Sequence, residues 1–209
     1  GCTSEDINNL AYALMLQKAR DAVLLPAIER IGAWLTAQAH EQAALPMLSR
    51  THGQPASPTT LGKELGNVAR RLARAQAAFA AVEPLGKING AVGNYNAHVV
   101  AYPERDWRAA SERFGRRLGL GGNEYTVQIE PHDWMAERFD ALAHGQLSVC
   151  VLARDVLFPA ELQRQLVAAL DLLDGAFRIR RVLDANVNVE LALGVFFLGL
   201  LGGALGGHP

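Results

Sequence analysis

The chain has 209 residues, half of them hydrophobic, enough to bury the core of one sizeable domain. Lys and Arg number 20 against 21 acids, a net charge of -1, so the chain lacks the basic excess of a nucleic-acid surface and no nucleic-acid partner is expected. Its two cysteines, Cys2 and Cys150, lie far apart without metal-ligand spacing, which argues against a disulfide framework and fits a reducing compartment.

The first element runs from about Ser4 to Ala44. Leu10, Ala13, Leu14 and Lys18 follow a helical period, and Ile28, Ile31 and Leu35 continue it. Thr3 and Asp6 have the spacing of a capping box, with Asp in place of Glu or Gln. Such a helix start offers free N–H groups and partial positive charge to a carboxylate or phosphate, although Thr and Ser also cap helices with no ligand nearby. Pro26 should kink or divide this helix.

Leu45 to Thr60 reads as a connection containing three prolines, with Ser57-Pro58 as a cap and first-turn proline. Within it lies Ser49-Arg50-Thr51-His52-Gly53-Gln54-Pro55-Ala56. Gly53 and Pro55 specialise the backbone around His52, whose side chain can exchange a proton near neutral pH. Such a histidine suits proton transfer, and equally a solvated loop.

A second helix is expected from Thr60 to about Val82, with Leu61, Leu65, Val68, Leu72 and Phe79 on one side. Arg70, Arg71 and Arg74 read as a solvated face or a subunit contact. Gly86 to Asn96 is an irregular Gly/Asn stretch without the ending of a phosphate-binding P-loop. Lys63 and Lys87 could attract substrate anions or simply be solvated, and His98 reads as a loop histidine or an orienting group. Arg105 to Leu118 should form a surface helix. Pro131 should open a third long helix reaching about Leu157, with His132 and Asp133 at its start serving structure more than catalysis. No alternating run suggests a strand. The expected fold class is all-α, a long-helix bundle.

Beyond residue 158 a divergent tail is expected. Glu161 to Leu173 reads as another amphipathic helix, and Leu191 to Gly207 is a 17-residue apolar stretch carrying six glycines. Its length sits at the lower edge for a membrane span and its glycines weaken a helix, so a packing tail or an abnormal end is expected rather than an anchor. No His-Glu-x-x-His or paired-cysteine spacing points to a metal, and no nucleophile elbow is present.

Four segments in order carry a family resemblance: Thr3-Ser4-Glu5-Asp6-Ile7-Asn8-Asn9, Ser49 to Ala56, Gly86 to His98, and Gln128-Ile129-Glu130-Pro131-His132-Asp133. Together they resemble the bacterial branch of the adenylosuccinate lyases, within the fumarase/aspartase superfamily, from about Cys2 to Val156. The resemblance implies an incomplete helical lyase domain over 1–158 and a tail over 159–209 lacking the family's mobile glycine-serine loop. It implies fumarate elimination from succinylamino nucleotides of purine synthesis, in a cytoplasmic homotetramer, with no cofactor and no metal. By the same resemblance His52 is the general acid, while Thr51, Thr3, Ser4 and Gln128 hold substrate. The loop expected to carry the base has no counterpart here, so little activity is expected from the chain alone. Another lyase of the superfamily, such as argininosuccinate lyase, and a non-catalytic helical oligomerisation piece are the competing readings.

Overall fold

The computed structural model describes residues 1–155, with side chains described through residue 145. The expected helix over 161–173, the apolar stretch over 191–207 and the end of the last helix near 157 lie outside the described residues. Helices dominate: α1 (Ser4–Ala19), α2 (Leu25–Glu41), α3 (Leu61–Ala81), α4 (Asn96–Ala101), α5 (Trp107–Arg117) and α6 (Asp133–Asp155). Between them lie strands β1 (Pro46–Thr51), β2 (Gln54–Thr60), β3 (Leu85–Gly86) and β4 (Gly121–Gly122). The described residues divide into two compact units, Gly1–Ala22 with Ala81–Arg138 and Val23–Ala80 with the residues from Phe139 onward. Among the described residues no helix is long and apolar enough to cross a membrane.

The expected division at Pro26 is present. A five-residue π-helical turn, Arg20–Leu24, ends α1, and α2 restarts with Pro26 in its first turn. Proline has no N–H to donate, and its ring clashes with the carbonyl four residues earlier. Widening the helix just before Pro26 removes both problems.

In the second unit, α2 buries Ala27, Ile28 and Leu35, α3 buries Leu65, Val68, Leu72 and Phe79, and α6 contributes Phe139 and Leu142. Each such side chain, once fully buried, stabilises by about 1.5–3 kcal/mol before the cost of ordering. Thr60 Oγ1 accepts from the Lys63 N–H at 3.2 Å, so Thr60 caps α3. Ser57 and Pro58, expected at that cap, lie instead within β2.

The connection over 45–60 is an antiparallel hairpin rather than an irregular link. Met47 pairs with Thr59, Leu48 with Pro58, Arg50 with Pro55 and Thr51 with Gln54. Both strands are edges, which is where prolines can sit without removing a needed ladder bond. Most of their residues are exposed, and this hid the strands from an apolar-alternation reading.

The first unit depends on a buried polar core. Lys87 Nζ lies 3.1 Å from Asp6 Oδ1, and both side chains are fully buried. Nζ also donates to the carbonyls of Gly90 at 2.8 Å and Val127 at 3.2 Å, so its three hydrogens are all used. Asp6 Oδ2 accepts from the Thr3 N–H at 2.9 Å, the carboxylate arm of the expected capping box, and from the Gly90 N–H at 3.2 Å. Asn9 grips the backbone of Lys87 from both sides: its Oδ1 accepts from the Lys87 N–H at 2.9 Å, and its Nδ2 donates to the Lys87 carbonyl at 3.0 Å. Thus Lys87 is neither solvated nor a free anion ligand. Gly86 lets the segment come this close, because a Cβ there would lie 2.5 Å from Leu10 Cδ2.

Around this core, β3 pairs in parallel with β4, and Leu10, Ala13, Leu16, Leu120, Trp134 and Met135 are buried. Burial and the nearby Arg20 push the Arg138 guanidinium down to about 10, with Asp21 opposing. It donates to the Val82 carbonyl and lies 5.0 Å over the Trp134 ring.

Removing one member of a buried pair leaves the other charge uncompensated. Lys87→Met should therefore destabilise the chain by about 3–5 kcal/mol in urea unfolding. A loss of less than about 1 kcal/mol, the range of an exposed pair, would contradict the burial assigned to it.

Candidate active site

Two sets of sequence-predicted residues occur, one in each unit. Thr3, Ser4 and Gln128 belong to the first, Thr51 and His52 to the second.

In the second unit His52 and Gly53 form the two-residue turn of the hairpin. Both have positive φ, 49° and 75°, the left-handed pair that a type I′ turn requires. Glycine adopts this freely, whereas a histidine there is held by the turn. The turn therefore fixes the backbone from which the imidazole projects. His52 and Thr51 are both exposed, so the ring is open to solvent and to an incoming group. A cavity of about 540 Å³ lies along α2 and α3, lined by Thr36, His40, Thr60, Lys63 and Arg70 among others. Neither predicted residue lines it. Lys63 pairs with Glu64 at 2.9 Å and is exposed.

In the first unit Thr3 is the N-cap of α1, with φ -91° and ψ 166°. Ser4, the first helical residue, is exposed. The two hydroxyls expected to receive an anion thus stand at a helix start, where backbone N–H groups are free and partial charge is positive. Glu5 and Asp6 add negative charge to the same turn, but Asp6 is fully engaged by Lys87, Gly90 and Thr3.

Gln128 is exposed on the segment leading to α6. Two residues on, Glu130 is 1% exposed. Its Oε1 accepts from Asn123 Nδ2 at 2.7 Å, and its Oε2 accepts from the His132 N–H at 2.7 Å. The His132 ring folds back onto the same carboxylate, with Nδ1 2.8 Å from Oε2. On its other side Nε2 lies 3.7 Å from Glu5 Oε1. His132 has φ 62°, and its carbonyl accepts from Met135 and Ala136 as α6 begins at Asp133, two residues after Pro131.

His98 lies on α4, between Tyr95 and Trp107, with ring centroids at 5.9 and 4.9 Å. Its Nε2 is 3.9 Å from Cys2 Sγ. Among the described residues no cluster of three or more metal-ligating side chains occurs.

Burial pushes the Glu130 carboxyl up, but its bonds from His132 and Asn123 outweigh burial and leave it below the ordinary 4.5. A carboxyl whose folded-state value is depressed stabilises above its unfolded value, and that stability is lost as pH falls through the folded value. Wild-type urea midpoints should thus fall below pH 4.5 more steeply than those of Glu130→Gln. The variant should be about 1–3 kcal/mol weaker at pH 7, having lost charge-assisted bonds. Parallel acid profiles would show that Glu130 is not held as described.

Residues 1–164 match the protein-family model described as Lyase. The chain is 54% identical over 155 residues to the adenylosuccinate lyase of Escherichia coli (strain K12), covering 74% of this chain and 34% of that protein. Over 136 residues it is 58% identical to the adenylosuccinate lyase of Legionella pneumophila (strain Corby), covering 65% and 30%. The chain therefore spans about a third of the length of the curated relatives it matches. Two solved structures share its fold. A fumarate lyase from Mesorhizobium sp. BNC1 matches with TM-score 0.69 at 24% identity, covering 95% of this chain and 53% of that one. The beta-carboxy-cis,cis-muconate cycloisomerase of Acinetobacter calcoaceticus sp. ADP1 matches with TM-score 0.72 at 21% identity, covering 98% and 52%. With residues 1–164 of its 209 matched by that model, the chain belongs to the lyase family.

Proposed function

We propose that the chain is the central part of an adenylosuccinate lyase. In this reading the enzyme eliminates fumarate from adenylosuccinate, giving AMP, and from the succinyl carboxamide ribotide of purine synthesis. The observation that carries the reading is the 54% identity to an adenylosuccinate lyase over 155 residues, in a chain whose four motif segments all lie within the residues matched by the Lyase family model.

The chemistry is a β-elimination. A base removes a proton from the carbon beside a carboxylate, the freed electron pair becomes the carbon–carbon double bond of fumarate, and the carbon–nitrogen bond breaks. The departing nitrogen takes a proton from a general acid. His52 fills the acid's role: it is exposed, and its backbone is fixed by a tight turn. Thr51 beside it contacts substrate. Thr3 and Ser4 receive a carboxylate or phosphate at the start of α1, where helix N–H groups favour negative charge. Gln128 donates to substrate from its exposed segment. Positioned donors of this kind stabilise the negative charge that develops on the carboxylate-bearing carbon. The base is not among these residues. The working enzyme is a cytoplasmic homotetramer in this reading, and the chain alone turns over slowly.

Fumarate release from adenylosuccinate, followed by absorbance, tests the assignment. Slow turnover is expected, with His52→Ala lowering it by about 100-fold or more. Equal rates in the two proteins would remove His52 from the chemistry, and turnover of argininosuccinate instead would move the chain to another branch of the superfamily.

A further inference from the structure

His132 occupies a position that its capping role does not explain. Its φ of 62° is unusual for a residue with a side chain and carries a cost. The backbone is held there because the His132 N–H and ring both meet Glu130 Oε2, at 2.7 and 2.8 Å. Glu130 is itself anchored through Asn123. The opposite ring nitrogen then faces Glu5 Oε1 at 3.7 Å. That oxygen is buried and accepts no hydrogen bond, and His132 Nε2 faces it from beyond hydrogen-bond distance; a ring protonated on both nitrogens presents an N–H to each carboxylate. One imidazole thus stands between a carboxylate of the 128–132 segment and a carboxylate of the first turn of α1.

The two segments so joined carry candidate substrate ligands. Ser4 and Thr3 immediately precede Glu5, and Gln128 lies two residues before Glu130. We infer that Glu130, His132 and Glu5 form a positioning latch, which adds to the Lys87 tie between the same two segments and aligns the start of α1 with the Gln128 segment so that both can hold one anionic substrate. The three are positioning residues, acting through Thr3, Ser4 and Gln128. What the latch serves rests on the lyase reading, whereas the latch itself rests on the three contacts. Small displacements of substrate ligands cost heavily in binding and rate, which gives such a tie its use.

The test uses the 209-residue chain and two variants. His132→Gly keeps the left-handed backbone without strain and removes the ring. Glu5→Gln removes one carboxylate at a partly exposed site. In amide NMR spectra, His132→Gly should shift the Ser4 and Gln128 signals together, and the double variant should move Ser4 no further than His132→Gly alone. An unmoved Ser4 amide in His132→Gly, or shifts that simply add, would overturn the latch. Fumarate and AMP are then titrated into wild type and Glu5→Gln. About tenfold weaker binding at an unchanged unfolding midpoint is expected, which a purely structural role would not produce. Equal affinity would overturn the latch. A wild type that binds neither compound yet shows the coupled shifts would retain the latch and overturn the lyase reading.

Discussion

Asp6 and Lys87 have almost no access to water, and the first unit is arranged around that constraint. A charge in such a place is tolerated only when every hydrogen and lone pair is engaged. Lys87 meets the condition by reaching Asp6, Gly90 and Val127 at once. Doing so draws three separate stretches of chain together: the first turn of α1, the glycine-rich loop after β3, and the segment before α6. Asn9 fixes the backbone of Lys87, and Asn89 Nδ2 donates to Thr126 Oγ1 at 2.8 Å. The loop over 86–96 is therefore not a run of free turns. Its irregular backbone satisfies a buried ammonium and a buried carboxylate.

The candidate anion end at Thr3 and Ser4 inherits its position from this core, because the residue that completes its cap, Asp6, is also the partner of Lys87. The chemistry proposed for His52 rests on a different device. A two-residue turn with two left-handed residues determines where the imidazole leaves the backbone, and the exposed hairpin leaves the ring accessible. Burial and charge position Thr3 and Ser4, and turn geometry presents Thr51 and His52.

Much of this was legible in the sequence. Apolar periodicity placed α1, α2 and α3, and Pro26 marked the break because proline's missing donor is a local fact. The motif segments identified the family without reference to packing. The hairpin is not legible as strands because its exposed residues do not alternate apolar and polar, although Gly53 is a residue that favours a turn. The burial of Lys87 is not legible because it depends on Asp6, 81 positions earlier in the chain, and no local pattern encodes that pairing. A hint existed: Asp6 and Asn9 fall on the same helical phase as Leu10 and Ala13, so two polar residues occupy the buried face. Glu130 gives no such hint, since a glutamate before proline carries no sign of burial.

The measurement that bears most directly on this account is native-state hydrogen exchange at Lys87 and Gly90. Both amides lie in irregular chain, yet they donate to Asn9 Oδ1 and Asp6 within the core. The account predicts that they exchange as slowly as the central amides of α1, through opening of the whole unit. Exchange of both at the rate of an exposed loop would show that the buried pair does not hold the first unit together.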